Sequence, residues 1–223
     1  AFFVPFSEKL NMALDRVGYP LCDGGVMARN SEWRGRLVDW QERINSWLLD
    51  PEPIHVRSSS IFFDLLPLMG DLELAHDLRE IVARGIETHQ GFLYHMMTLD
   101  LRYKVPLGLL GRFSVEKEGD NAGMLSVKYG GCVYIVDCIR MFALERGIRA
   151  ISTMERLQAL VTQNVFALET AEHIRAAFEA LVFLRLRHEI SMIEANHPPS
   201  HFLDPYALSK TEQDLLKESF QAV

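Results

Sequence analysis

The segment "LSVKYGGCVYIVDCIRMFALERG", residues 125–147, joins a short strand-like stretch to a helix through a Gly-Gly pair. After Gly131 the apolar residues recur at helical spacing, and this pattern continues to the end of the chain. A single clear loop, predicted at 196–206, interrupts it. The C-terminal part is therefore typical of a helical bundle, with helices predicted at about 132–146, 152–162, 168–195 and 209–221.

The residues before this segment predict a β-hairpin. The stretch 113–131, "FSVEKEGDNAGMLSVKYGG", reads as two short strands joined by a polar Gly-Asp-Asn-Ala-Gly turn. The stretch 105–113, "VPLGLLGRF", predicts a loop. Residues from Asp71 to about 102 predict helix, broken near Gly85 or Gly91.

The N-terminal region predicts helices and one strand. Helices are expected at 3–17 and 31–50, the second with Ser31 as its N-cap, and the Gly-Gly segment 19–30 between them predicts a loop. The stretch "SSSIFFDLLPLMGD", residues 58–71, predicts a buried strand over 59–66. The fold class is thus α+β, mostly α, with one domain over residues 1–72 and a second over residues 73–223.

Composition narrows the class of protein. The 223 residues are 48% hydrophobic, enough for substantial cores, and no apolar run is long enough to span a membrane. A net charge of −7 with dispersed basic residues argues against a nucleic-acid partner. Three cysteines without a CxxC pair favour a reducing cytoplasm. Because the chain enters a helical pattern at once and lacks an initiator methionine, we expect a fragment of a longer protein.

Asp64 is the first candidate site residue, since it interrupts an apolar run. A buried carboxylate is costly unless it is hydrogen-bonded, paired or bound to a metal. Strand-borne Asp residues bind Mg²⁺ in phosphoryl-transfer enzymes, where oxygen ligands suit the ion. The alternative is an Asp at a sheet edge, capped by a backbone amide.

Several other residues could carry chemistry or merely support the fold. The amides of Gly130 and Gly131 could bind an anion at a helix N-terminus, or the glycines could serve the turn. Asp137 and Arg140, three residues apart, predict a local ion pair in the bundle. His188 is interpreted as a histidine at the edge of the core.

Two further motifs are weaker. Arg29, in the Gly-Gly loop "CDGGVMARN", could contact phosphate, although the P-loop lysine pattern is missing. The His76-Asp77 pair, with His55 and Asp100, would be the metal-binding set of an HD-type phosphohydrolase.

Four stretches together resemble a known family: "LDRVGYPLCDGGVMARNSEWR", "SIFFDLLPLMGD", "PLGLLGRFSVEKEG" and "LSVKYGGCVYIVDCIRMFALERGI". They are similar to bacterial nucleotidyltransferases often fused to cyclic-nucleotide-binding and CBS domains. That family is similar in turn to the uridylyltransferase that modifies the PII nitrogen-signalling protein. The resemblance covers essentially the whole chain. It implies part of a polymerase-β-like nucleotidyltransferase domain, followed by a helical substrate-binding domain with a β-hairpin.

The resemblance also implies a reaction and its residues. Such enzymes carry a Gly-Ser motif and an Asp-x-Asp pair that binds two Mg²⁺ ions. Both motifs are missing from the 223 residues and are expected upstream, so we expect this chain alone to be inactive. Asp64 matches a third acid, acting as metal ligand or base. The implied contacts to nucleotide or acceptor are Arg29, Arg112, Lys128, Gly130 and Gly131.

The implied reaction transfers a nucleoside monophosphate from a triphosphate to a hydroxyl, on a protein acceptor. Upstream regulatory domains and a second copy of the chain are further expected partners. The alternative is a non-catalytic signalling module, in which the bundle is an interaction surface. On the catalytic interpretation, Asp64→Asn in the full-length protein should abolish transfer with little loss of stability.

Overall fold

The structure is a computed structural model that describes residues 2–100, 102, 104–108 and 111–223, apart from the side chain of Asp100. Two short strands pair in the C-terminal half, β1 (Leu125–Ser126) and β2 (Phe202–Leu203). The helices of the described part are α1 (Phe3–Arg16), α2 (Leu37–Leu49), α3 (Pro53–Phe62), α4 (Leu72–Thr88), α5 (Gly91–Asp100), α6 (Val133–Glu145), α7 (Thr153–Thr162), α8 (Leu168–Glu194) and α9 (Lys210–Gln221). None of them is both long and apolar enough to cross a bilayer.

The helices predicted after Gly131 are confirmed to within two residues. The last one begins with a capping box, in which the Ser209 hydroxyl accepts from the Glu212 amide and the Glu212 carboxylate accepts from the Ser209 amide. The break between α4 and α5 falls at residues 89–90, so Gly91 opens α5. Gly85 lies inside α4, where an added Cβ would clash with Leu48 of α2. It permits close helix packing rather than ending the helix.

The prediction that Ser31 caps the second helix is wrong. Ser31 opens a short 3₁₀ turn, Ser31–Trp33, and the backbone is extended at Arg34 and Arg36 before α2 begins at Leu37. The Asp39 carboxylate accepts a hydrogen bond from the Arg36 amide at 2.8 Å, which favours a helix start at this later position.

The predicted strand over residues 59–66 is also wrong, because α3 occupies Pro53–Phe62 and a turn follows. Pro53 suits the first turn of a helix, and the Ser59 and Ser60 hydroxyls donate to the Val56 carbonyl within it. Phe62 stacks on Trp40 of α2, with ring centres 4.2 Å apart. Tertiary packing of aromatic side chains therefore overrides the strand-like composition.

Of the two short strands expected in the hairpin, the second forms as β1, but its partner is a strand from a distant part of the chain. The polar turn closes as predicted, since Glu116 exchanges backbone hydrogen bonds with Gly123 and Met124, each 2.8 Å long. β1 then pairs antiparallel with β2, which lies in the predicted loop 196–206. Phe113 instead forms an isolated bridge with Leu107, while Leu109 and Leu110 lie outside the described residues.

Two apolar cores meet at α6. The first core lies among the four helices α2, α3, α4 and α5. Its buried members are Trp40, Ile44, Trp47, Leu48, Val56, Phe63, Val82, Ile86, Phe92 and Met96. The second core lies among the strands β1 and β2 and the helices α6, α7, α8 and α9. Ile135 and Ile139 of α6 belong to the second core, whereas Met141 and Leu144 pack against the first. The domain boundary at 72/73 stays a prediction; in the structure α4 and α5 share their core with α2 and α3.

Candidate functional site

Asp64 lies just after α3 and binds two arginines from other helices. Its Oδ2 accepts from Nη2 and Nε of Arg140 on α6, at 2.6 and 3.2 Å. Its Oδ1 accepts from Nη2 of Arg156 on α7 at 2.5 Å. Arg140 also pairs with Asp137, which confirms the local ion pair expected in the bundle. The carboxylate thus ties the α3–α4 turn to α6 and α7.

These ion pairs are largely buried. The exposed fraction of the side chain is 3% for Arg156, 9% for Arg140 and 24% for Asp64. Burial acts to raise the pKa of Asp64, but hydrogen bonds and charge from the two guanidinium groups outweigh it and hold the pKa below its ordinary 3.8. The Asp64 side chain is therefore a carboxylate at neutral pH, already paired.

The surroundings of Asp64 do not fit a magnesium ion. Both carboxylate oxygens accept from guanidinium groups, and those cations would repel Mg²⁺. Within the described ranges, no group of three or more His, Cys, Asp or Glu side chains could hold a metal. The role of Asp64 as metal ligand or base stays a prediction, and its geometry gives it a structural role.

Gly130 and Gly131 lie in a π-helical turn, Lys128–Cys132, that runs directly into α6. Both are buried: a Cβ on Gly130 would be 2.5 Å from Pro106 Cδ, and one on Gly131 would be 2.8 Å from Leu181 Cδ1. The glycines thus let the 104–108 segment and α8 approach closely. Anion binding by their amides stays a prediction.

Lys128 belongs to a partly exposed surface that we call the Lys128 patch: Ser126, Lys128, Tyr129 and His201. The Lys128 Nζ lies 5.2 Å from the centre of the Tyr129 ring, and the His201 ring contacts Tyr129 edge-on at 5.1 Å. The Ser126 hydroxyl accepts from the Tyr129 amide at 3.1 Å and lies 3.2 Å from His201 Nδ1. The patch presents a cation beside an aromatic ring.

The imidazole of His201 is held in its neutral form. Burial lowers its pKa, and the nearby cations Lys128 and Arg185 lower it further. A neutral Nδ1 can accept the Ser126 proton, so the pair is satisfied without an added charge. Sequence reasoning missed Ser126 and His201, because they meet only through the pairing of β1 with β2, 75 residues apart.

The remaining predicted contacts lie in different places. Arg29 pairs with Glu8 of α1 at 2.9 Å, and its amide donates to Asn11, so it fastens the 19–30 loop to α1. Arg112 is exposed, and its carbonyl accepts from the Gly108 amide at 2.7 Å. Arg140, the partner of Asp64, follows Lys128 by twelve positions along continuous helix, or roughly 18 Å at 1.5 Å per residue. The structure therefore does not bring Lys128 and Asp64 together.

The HD-type interpretation has no geometric support. His76 and Asp77 are both exposed on α4. His55 Nδ1 lies 2.6 Å from the Asp50 carbonyl oxygen, and among the described residues His55 belongs to no group of three or more His, Cys, Asp or Glu side chains that could hold a metal. The Asp100 side chain lies outside the described part of the chain.

Comparison with known protein families agrees with this architecture. Residues 90–223 match the model of a family described as "Putative nucleotidyltransferase substrate binding domain". The chain belongs to that family. Residues 1–54 match a second model, "Putative nucleotidyltransferase DUF294". No curated protein and no solved structure matches the chain.

The candidate residues are distributed over the two matched regions and the interval between them. The region that matches the substrate-binding-domain family, residues 90–223, contains the Lys128 patch, Gly130, Gly131 and Arg112. Arg29 lies in the N-terminal match, whereas Asp64 lies in the interval 55–89 between the two models. The family comparison therefore bears on the Lys128 patch more directly than on Asp64.

Proposed function

We propose that this chain is the substrate-binding part, with an adjoining piece of the catalytic domain, of an enzyme that transfers a nucleoside monophosphate from a triphosphate to a hydroxyl. The observation that carries the proposal is the family match over residues 90–223. In the reaction the acceptor oxygen bonds to the α-phosphorus, pyrophosphate leaves, and the hydroxyl proton passes to a base. By analogy with PII modification, the acceptor is a bacterial signalling protein in the cytoplasm.

The Lys128 patch is the proposed contact surface for the nucleotide or its acceptor. A lysine ammonium binds phosphate as a point charge, and an aromatic ring can stack on a base. Lys128 and Tyr129 offer both groups side by side, with His201 bracing the ring. Arg112, which is exposed, is the second cation proposed for this role.

Exposed apolar side chains on α1 support a larger catalytic unit. The exposed fraction is 67% for Phe3, 48% for Phe6 and 43% for Leu10, although the helix is amphipathic. Apolar faces of this kind usually meet another surface. We propose that the rest of the nucleotidyltransferase domain covers them and carries the Asp-x-Asp pair and the Mg²⁺ ions.

Transfer assays on two chains test the proposal. The 223-residue chain and the parent protein would each be incubated with Mg²⁺, a labelled nucleoside triphosphate and candidate acceptors. We expect label transfer by the parent and none by the 223 residues. Sustained turnover by the 223 residues, or an inactive parent that carries both acids of Asp-x-Asp, would contradict the proposal.

A non-catalytic signalling module is the second candidate. The geometry of Asp64 favours it to some extent, because a carboxylate held by two arginines is not free for catalysis. In this case the helical bundle would bind a partner or a second copy of the chain. The parent sequence discriminates between the two, since the module would lack the Gly-Ser motif or the Asp-x-Asp acids.

A further inference from the structure

Arg156 has a buried nitrogen without a protein partner. Its Nε donates to the Ala150 carbonyl at 2.8 Å and its Nη2 to Asp64 at 2.5 Å. Its Nη1 is inaccessible to solvent and has no hydrogen-bond acceptor among the described residues. A buried guanidinium N–H without an acceptor destabilises the fold. An acceptor from outside the chain would therefore stabilise the protein by accepting a hydrogen bond from this nitrogen.

A cavity of about 40 Å³ adjoins this arginine, between α4 and the segment 147–156. Among the described residues, the charged side chains that line it are Arg79, Arg149 and Arg156. Arg79 Nη2 donates to the Leu65 carbonyl at 2.9 Å, and Arg149, 54% exposed, stands at the mouth and pairs with Glu80. Asp64 pairs with Arg156 and Glu80 pairs with Arg149, and neither carboxylate lines the cavity.

The size and charge of the cavity suit an oxyanion. A single water needs only about 10–15 Å³, so 40 Å³ is more than one water requires. A phosphate group offers several acceptor oxygens to arginine donors whose fork geometry matches them.

A larger cavity, about 740 Å³, lies beside the first between α4, α5 and α6. Ala83, Ile86, Leu144 and Gly147 line both cavities. The volume falls within the range of small-molecule sites. The wall of the larger cavity is mostly apolar or aromatic, as at Leu93 and Met141, and its polar members are Glu87, Gln90, Glu145 and Arg146.

We propose that the two cavities form one binding site for a phosphate monoester with an apolar ring system, such as a nucleoside monophosphate. The phosphate group binds Arg79, Arg149 and the Nη1 of Arg156, and the ring system lies in the larger cavity. This site uses neither the Lys128 patch nor Mg²⁺, so it is separate from the transfer reaction proposed above. Its ligand contacts α4 to α7 and bridges the two cores.

Calorimetric titration of the 223-residue chain without Mg²⁺, at constant ionic strength, tests this site. The probes are inorganic phosphate, a purine and a pyrimidine nucleoside monophosphate, and the two matching nucleosides. We expect at least one monophosphate to bind about tenfold or more tightly than its nucleoside and than inorganic phosphate, because charge-assisted and apolar contacts add.

Arginine variants locate the phosphate group. Arg149→Gln and Arg79→Gln should each weaken monophosphate binding about tenfold. Arg84→Gln is the matched control, because Arg84 is exposed on the same helix as Arg79 and lines neither cavity; its affinity should equal that of the wild type. Thermal unfolding would confirm that each variant is folded.

Three outcomes would overturn the proposal. One is the absence of monophosphate binding at millimolar concentration, which would assign the 40 Å³ cavity to water. Another is unchanged affinity in both arginine variants. The third, equal affinity for inorganic phosphate and the monophosphates, would show that the larger cavity does not hold the ring.

Discussion

At the scale of single residues, Asp64 decides between a structural and a catalytic interpretation. A carboxylate between two nearly buried guanidinium groups compensates their charge, and removing it leaves Arg156 without a carboxylate partner and Arg140 with Asp137 alone. A catalytic acid would instead need an oxygen free for metal or substrate. The expectation that Asp64→Asn leaves stability unchanged therefore conflicts with the observed contacts.

Asp64→Asn should lower the free energy of unfolding by about 3 kcal/mol, since breaking a buried pair leaves uncompensated charge. Urea denaturation of the 223-residue chain measures this. Asp77→Asn is the control, because Asp77 is exposed on α4 and should change stability by less than about 0.5 kcal/mol. Equal stability of both variants would remove the structural role from Asp64.

The ion pairs of Asp64 should also make the free energy of unfolding depend on pH in the acid range. Because the folded-state pKa of Asp64 lies below its ordinary 3.8, its contribution to stability is full above that pH and is lost as the pH falls through the folded-state value. The difference in unfolding free energy between wild type and Asp64→Asn should therefore shrink from pH 7 to pH 3. A difference that stays constant over this range would contradict the ion-pair assignment.

At the scale of elements, the π-helical turn depends on close packing at Gly131. A Cβ there would lie 2.8 Å from Leu181 Cδ1 and 3.1 Å from Phe220 Cε1. Gly131→Ala should therefore lower the free energy of unfolding by about 1–3 kcal/mol through overpacking.

Gly91→Ala is the matched control for that change. Gly91 begins α5, and a Cβ there meets no atom within 4 Å. Alanine should be neutral or stabilise the chain by up to about 1 kcal/mol, because it reduces the entropy of the unfolded state. If thermal unfolding gave the two variants the same stability, the packing role of Gly131 would be wrong.

The sequence predicts correctly those helices that are specified by nearby residues, through apolar periodicity and capping side chains. The helices after Gly131 carry their own apolar periodicity and caps, such as Ser209 with Glu212. The stretch 59–66 was predicted wrongly because its aromatic residues suit a strand, whereas contacts such as Phe62 on Trp40 hold it in a helix and turn. The partner of β1 was missed, since no local signal identifies a strand so distant in sequence.

The candidate site was predictable only in part, for the same reason. Lys128 and the glycines stand out as a motif, but Ser126 and His201 join them through tertiary structure. Arg156 was not a candidate, although its helical spacing beside the buried Leu157 and Leu160 places it against the core.

At the scale of the whole molecule, α6 links two cores and separates two polar clusters. The Asp64 ion pairs lie near its C-terminal half, where the first core meets it, and the Lys128 patch precedes its N-terminus. Substitutions in the ion pairs should thus change stability, whereas substitutions at Lys128 should change substrate use.

The most direct test of substrate binding by the Lys128 patch is the kcat/KM of nucleotide transfer by the parent protein carrying Lys128→Ala. Lys117→Ala is the matched control, because Lys117 is exposed on the polar turn outside the patch. We predict a loss of at least about tenfold for Lys128→Ala, with unchanged thermal stability and a wild-type rate for the control. An unchanged kcat/KM in Lys128→Ala would contradict the assignment of this patch to substrate binding.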